Sequence, residues 1–465
     1  TPVGSGNFPT GMVLRSANSS SALSTDLLGK ASHSFNDDIE GTFMLGMHLD
    51  NNKYEGLSVY ASNLVIPSAP ASFSNALNFS PGEYLTITRT AALYGQLDFN
   101  LYKQVFIKFT GRDESASTYG PDASQTYFYP SASLAWQFTQ LPIMKENGIL
   151  SFGKLRVAYG QAANQPPAYV TRTYYQINNT IFNGAFDGLS GQYYSGAAAL
   201  SNQLGNSNLK PEMTSETEIG TDLRFFNDRA SLSLTYYSNK TTGAILGINL
   251  SPSTGFASKF ANAASMENKG TEVQLIADWL HLGQFSWATT VNWSHNKNIV
   301  TDLSGVKQVT LIGGAVLWSA ILDQPYGVMY GSRWDRKVDG SLNLDAGGFP
   351  QTASEYGIIG DPNPNYRMGI INTFRYQRLS LSILLDIKQG GLAFNGTKGS
   401  MYNFGTHGSQ NWWNTISAAD AASLHNFDGQ TLVQLASGGS RTSVKNSDGS
   451  YSFRGYMSDF GGGRV

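Results

Sequence analysis

The chain is 465 residues long, with a formal charge of −2, only 14% charged residues, 12% aromatics, 50 glycines and no cysteine. A near-neutral balance without a dense Lys/Arg run argues against nucleic acid as a partner, and the missing cysteine excludes a disulfide framework and a thiolate zinc site. No run of about 18 consecutive apolar residues occurs, so only a closed barrel of strands could cross a membrane.

Alternating apolar and polar residues recur in segments of roughly 10 to 14, longer than the usual globular strand of about 5 to 6. The first pair, "DLLGKASHSF" and "IEGTFMLGMHL", is joined by "NDD" at Asn36 to Asp38. "TRTAALYGQLDFN" meets "VFIKFTGRD" through "LYKQ", and "YFYPSASLAWQF" is followed by "SFGKLRVAYGQ". Next come "SETEIGTDLRFF" and "ASLSLTYYSNK" across "NDR", then "GTEVQLIADWL" and "FSWATTVNWSHN" across "HLGQ". "YRMGIINTF" and "LSLSILLDIK" close a series of about twelve predicted strands across "RYQR".

Every second connection is short. The others are predicted as long loops: 50–83, 113–126, 161–214, 241–269, 297–365 and everything after Gly390. Short turns on one rim and long loops on the other match an outer-membrane barrel, with the short turns periplasmic and the long loops extracellular. Charge placement agrees. Glu218, Asp222 and Arg224 share one parity against Ile219, Leu223 and Phe225, and Lys154 and Arg156 oppose Leu155, Val157 and Tyr159. Asp386 and Lys388 likewise oppose Leu381, Ile383 and Leu385. These seven charged residues are expected to face a polar lumen, because Lys or Arg against lipid at mid-bilayer costs about 2 to 4 kcal/mol. In "FSWATTVNWSHN", Phe285, Trp287, Val291 and Trp293 form the greasy parity, with aromatics toward each end. The alternative for such patterning is a large soluble β-sandwich or solenoid.

The residues also resemble a known family, the SusC/RagA-type TonB-dependent outer-membrane transporters, over most of 25–395. The likeness rests on "ALYGQLDFNLYKQVFIKFTGRDESAS", "LSFGKLRVAYGQAANQ", "NLKPEMTSETEIGTDLRFFNDRASLSLTYYSNKTTGAIL", "MENKGTEVQL", "DQPYGVMYG" and "IGDPNPNYRMGIINTFRYQRLSLSILLDIKQGG", in that order. The resemblance implies an all-β antiparallel transmembrane barrel of about 22 strands. It also implies an N-terminal signal, a Ton box, a plug domain, a SusD-like surface lipoprotein and energy from TonB-ExbB-ExbD. The chain opens "TPVGSGNF" and ends "GGGRV", and about half of those strands can be placed in it. The expectation is therefore a partial barrel over 1–465, an interior piece without the plug. Implied function is active import of an oligosaccharide or oligopeptide in a Gram-negative outer membrane. The readings set against it are a surface-exposed structural or adhesive β-protein and a passive porin.

No Gly-x-Ser-x-Gly elbow, His-Glu-x-x-His or phosphate-binding Gly-Lys-Ser/Thr loop occurs, so an enzyme is not expected. The six histidines are scattered, and those on or beside strands read as lumen or rim residues. "DGSLNLD" sets Asp339, Ser341, Asn343 and Asp345 at alternate positions, the spacing of oxygen ligands in a calcium loop, but Leu344 stands where such a loop needs Gly. No other cofactor is suggested. "IGDPNPNY" reads as a rigid turn entering a strand, with Asp361, Asn363 and Asn365 as lesser ligand candidates. The substrate candidates are loop aromatics beside amides: Tyr174, Tyr175, Phe182, Phe186, Tyr193 and Tyr194 in one loop, and Trp412 and Trp413 in another.

Overall fold

The computed structural model describes residues 11–66, 69, 72–120, 126–144, 148–176, 199–314, 316–344, 351–403, 417–423, 431, 433–434 and 443–453. It separates into two units, 1–307 with 366–387, and 308–365 with 388–465.

The first unit is a continuous antiparallel sheet whose strands follow chain order. They are β1 (Met12–Asn36), β2 (Ile39–Leu64), β3 (Ala76–Leu101), β4 (Val105–Ala116), β5 (Tyr127–Trp136) and β6 (Leu150–Asn164). β7 (Glu212–Phe225), β8 (Ala230–Asn249), β9 (Ser258–Leu282) and β10 (Phe285–Asp302) follow. The sheet then passes to Pro364–Tyr376 and Leu379–Gly390. These are the twelve strands expected from the alternation. Two-residue Gln203–Leu204 adds a parallel pairing to β9.

The short turns form a rim of their own. Amides at each connection donate to carbonyls of the preceding one: Tyr102 to Asp38 at 2.6 Å, Gln137 to Gln104 at 2.8 Å, Phe226 to Ile149 at 2.8 Å, Asp278 to Arg229 at 2.8 Å and Gln377 to Gln284 at 3.2 Å. Tightness requires left-handed backbone, seen at Tyr102, Lys103, Asn227, Gly283 and Gln377. Aromatics cluster beside this rim: Trp279 against Trp287 at 6.1 Å, Trp287 stacked on Phe374 at 5.8 Å, and Trp136 edge-on to Phe138 at 5.9 Å. The connection between β5 and β6 is not a tight turn; it passes through the short 3-10 turns Phe138–Gln140 and Pro142–Met144.

Two expected loops need correction. Most of 50–83 is strand, because β1, β2 and β3 run on together, with Asn52 paired to Ala22 and Thr88 and Ser62 paired to Met12 and Asn78. Much of 241–269 is likewise strand, since β8 and β9 stay paired out to Asn249 and Ser258. Polar residues occupy both faces there, so the alternation that marks a strand in a membrane fades although the ladder continues. The 26 residues of β2 span about 85 Å at roughly 3.3 Å per residue, against about 9 to 11 residues needed to cross a bilayer.

The second unit carries structure where the segment 297–365 was expected to be a loop. β11 (Gln308–Ile312), β12 (Leu317–Ile321), β13 (Val328–Gly331) and β14 (Gly357–Gly360) form a small antiparallel sheet burying Val309, Ala320, Val328 and Met329. The strand Pro364–Tyr376 is β15 and Leu379–Gly390 is β16. After Gly390 the described residues include helices Gly396–Asn403 and Ala418–Ser423 and the hairpin Ser443–Lys445 with Tyr451–Phe453. Among the described residues no helix is long and apolar enough to cross a membrane.

Candidate functional site

Register carries each parity across the first sheet. The apolar row Phe43–Leu97–Phe109 belongs to β2, β3 and β4, and the row Leu223–Leu232–Leu275–Val291–Ile370 crosses β7 to β10 and β15. The opposite parity is polar. In a water-soluble sheet the apolar rows would be covered; here Leu45 is 55% and Ile219 60% exposed, whereas the Arg156 and Asp222 side chains are each 29% exposed. Such an inversion removes the soluble sandwich, because an exposed apolar face this extensive requires hydrocarbon against it.

The sequence-predicted charges meet on the polar parity. Lys154 on β6 pairs with Asp222 on β7 at 2.9 Å, and Arg156 reaches Asp222 and Glu218, each at 3.6 Å. Gly220 makes this reach available: a Cβ there would lie 2.7 Å from the guanidinium carbon of Arg156. Ser233 donates to Asp222 at 2.7 Å and Arg156 to Thr235 at 2.5 Å, carrying the network onto β8. Above it Asn298 donates to Asn268 at 2.8 Å, Asn268 to Asn239 at 2.9 Å and Asn239 to Glu216 at 3.0 Å, an amide ladder over four strands. Arg224 sits near the rim over the Phe152 ring at 4.8 Å and 3.8 Å from Asp228. Asp386 and Lys388 are exposed on one parity of β16.

Other polar groups on this face were not foreseen as a set. His48 is held between Asp26 at 2.8 Å and Asp50 at 2.9 Å. Glu114 accepts from Arg112 at 2.6 Å and from Gln165 at 2.8 Å, while Gln165 also donates to Thr90 at 3.0 Å. Asp50 and Arg112 share a strand and a parity with their partners, as alternation alone would show, but Asp26 meets His48 only through cross-strand register and Gln165 reaches Glu114 and Thr90 only through the fold.

The loop candidates fare differently. Tyr174 and Tyr175 are exposed, Tyr175 pairing with Leu200 in a two-residue ladder. Phe182, Phe186, Tyr193, Tyr194, Trp412, Trp413 and Asp345 lie outside the described residues. In the calcium-like stretch, the Ser341 hydroxyl and amide donate to Asp339 at 2.6 and 2.9 Å and hold its carboxyl below the usual range. Asn343 instead turns to Asp335 at 2.8 Å, so the described candidates do not converge on one point. Asp361 accepts from the amide and side chain of Asn363 at 2.9 and 2.8 Å, and its carbonyl accepts from Leu392 at 2.8 Å. "IGDPNPNY" is thus a braced turn.

A family profile described as TonB dependent receptor-like, beta-barrel, matches residues 4–351. The chain belongs to this family. A TonB-dependent receptor of Formosa agariphila is 27% identical over 351 residues, which are 70% of this chain and 34% of that one. TonB-dependent receptor SusC of Bacteroides thetaiotaomicron is 27% identical over 225 residues, covering 48% of this chain and 22% of that one. The solved RagAB peptide importer in its closed-closed state superposes with a TM-score of 0.67 at 18% identity, over 85% of this chain and 44% of that one. The chain therefore spans about a third of the length of the Formosa relative and less than half of the solved one. The fold of this TonB-dependent receptor chain is the antiparallel transmembrane β-barrel of the outer-membrane type, and SusC and the RagAB importer are among the proteins it is similar to. TonB-dependent transporters are not enzymes.

Proposed function

We propose that the chain is barrel wall in an outer-membrane importer that takes up an oligosaccharide or oligopeptide too large for passive pores. The observation carrying this reading is the inversion of the sheet, exposed apolar rows on one face and half-buried ion pairs and amide ladders on the other. Lipid covers the first face. Lys154, Arg156, Glu218, Asp222, Arg224, Asp386 and Lys388 line the aqueous second face, where long polar ladders keep a wide lumen hydrated.

The rest of the mechanism draws on kinship. A plug elsewhere in the protein closes the lumen, TonB-ExbB-ExbD withdraws it, and a SusD-like lipoprotein covers the outer mouth while the extended strands and loops receive substrate. The experiment is uptake of labelled oligosaccharides and oligopeptides by cells with and without the gene. Import that disappears on deletion and on collapse of the inner-membrane proton gradient fits the proposal. Import that survives the collapse identifies a passive pore instead, and an unchanged profile on deletion removes the transport role.

A further inference from the structure

Above the membrane-crossing part of β1 to β3, the face that continues the charged parity loses its charge. From Asn52 to Ser62 on β2, and across to the register partners on β1 and β3, it holds hydroxyl, amide, tyrosine, glycine and apolar side chains, with no Asp, Glu, Lys, Arg or His. On this face lie Tyr54 and Tyr84, 46% and 44% exposed, with ring centroids 5.1 Å apart and planes at 37°. Tyr84 lies across Gly56, its register partner: a Cβ at Gly56 would fall on the ring, so the tyrosine can lie flat only because the partner is glycine. Its hydroxyl donates to Asn18 at 3.1 Å, which holds the ring across Gly56 toward β1.

We infer that Tyr54 and Tyr84 form a stacking platform for a neutral oligosaccharide; this deepens the import reading and rests on it. A flat aromatic ring offers its face to the C–H face of a pyranose, and the surrounding Asn18, Ser20, Asn52 and Thr86 offer donors and acceptors for the equatorial hydroxyls. An uncharged surround suits a polyhydroxylated ligand and lacks the charge-assisted partners that peptide termini and ionised side chains take. A peptide would find backbone hydrogen bonds along an open strand edge, not on a sheet face.

The test is equilibrium binding to the full-length native protein in detergent. The probes are neutral hexa- to octasaccharides of glucose, xylose and mannose, with a casein tryptic digest as the peptide probe. At least one oligosaccharide is expected to bind, with Tyr84→Ala weakening it about tenfold, the loss of roughly one good stacking contact. Tyr84→Phe should stay within about threefold. Gly56→Ala provides a second route, because it displaces the Tyr84 ring without deleting any ligand-facing side chain, and it should weaken binding as Tyr84→Ala does. Peptide binding in place of glycan, absence of binding by every oligosaccharide, or glycan binding indifferent to both substitutions overturns the assignment. None of these results touches the import reading, which is decided by uptake.

Discussion

The lower and upper halves of the β1–β3 ribbon are one ladder with two opposite distributions of charge. Between Ile39 and Leu49 the face bearing Phe43, Leu45 and Met47 has no Asp, Glu, Lys or Arg across three strands, while the other face holds Asp26, Lys30, Glu40, His48 and Asp98. Between Asn51 and Ala61 the assignment reverses: Arg15, Lys53, Glu55, Glu83 and Arg89 lie on the face that was apolar, and the other is uncharged. Register does not slip between the halves, so backbone geometry cannot explain the exchange. What changes is the medium. Lipid forbids charge on the outward face up to Leu49, and from Asn51 outward that face meets water.

The largest effect should come from testing that boundary on a single strand. Leu45→Arg places a cation in the apolar belt and is expected to cost about 2 to 4 kcal/mol of folding in the membrane. Leu57→Arg, on the same face of the same strand but above the belt, should stay within about 0.5 kcal/mol. Folded and unfolded fractions by electrophoretic mobility in outer-membrane extracts measure both, and equal losses would dissolve the boundary. The same contrast across faces is available on β10. Val291→Arg should impair assembly, whereas Asn292→Arg, on the face where Gln274 donates to Asn292, should be tolerated.

How far this was legible in the sequence depends on the same boundary. Inside the belt one face is apolar and the other wet, so period-2 alternation revealed all twelve strands, and the parity of Lys154, Arg156, Glu218 and Asp222 came with it. Above the belt both faces meet water, and "NNKYEGLSVYASN" gives no alternation to read. Pro81 and Gly82 also look like a turn, yet Pro81 sits in β3 where no fourth strand pairs beside it, a place that tolerates the missing N–H. The Tyr54–Tyr84 pair was invisible for a different reason: its members are distant in sequence and meet only through register.

Glycines sharpen the comparison at intermediate magnitude. Gly56 and Gly270 each lie under a tyrosine of the neighbouring strand, Tyr84 and Tyr237. At Gly56 an added methyl meets only the end of a movable ring above the belt, so Gly56→Ala should change stability by less than about 0.5 kcal/mol while displacing the ring. At Gly270 it also meets the His295 carbonyl oxygen at 2.6 Å, backbone that cannot step aside without breaking the β9–β10 ladder. Gly270→Ala should therefore cost about 1 to 3 kcal/mol, measured by urea unfolding in bilayers.

A small effect is also expected where charges pair across strands. Asp222→Asn removes the partner of Lys154 at 2.9 Å and of Arg156 at 3.6 Å, but keeps an acceptor for the Ser233 hydroxyl at 2.7 Å. Because these side chains are about a third exposed, solvent takes up much of the lost attraction if the face is hydrated as proposed, and the cost should be about 1 kcal/mol or less. It should shrink further as salt rises from 0.05 to 0.5 M, a range over which the screening length falls to roughly 4 Å. A loss of about 3 kcal/mol that ignores salt would instead mean a dry, low-dielectric environment around Asp222. That result would place this face against packed protein and not water, and with it the assignment of the lumen would fail.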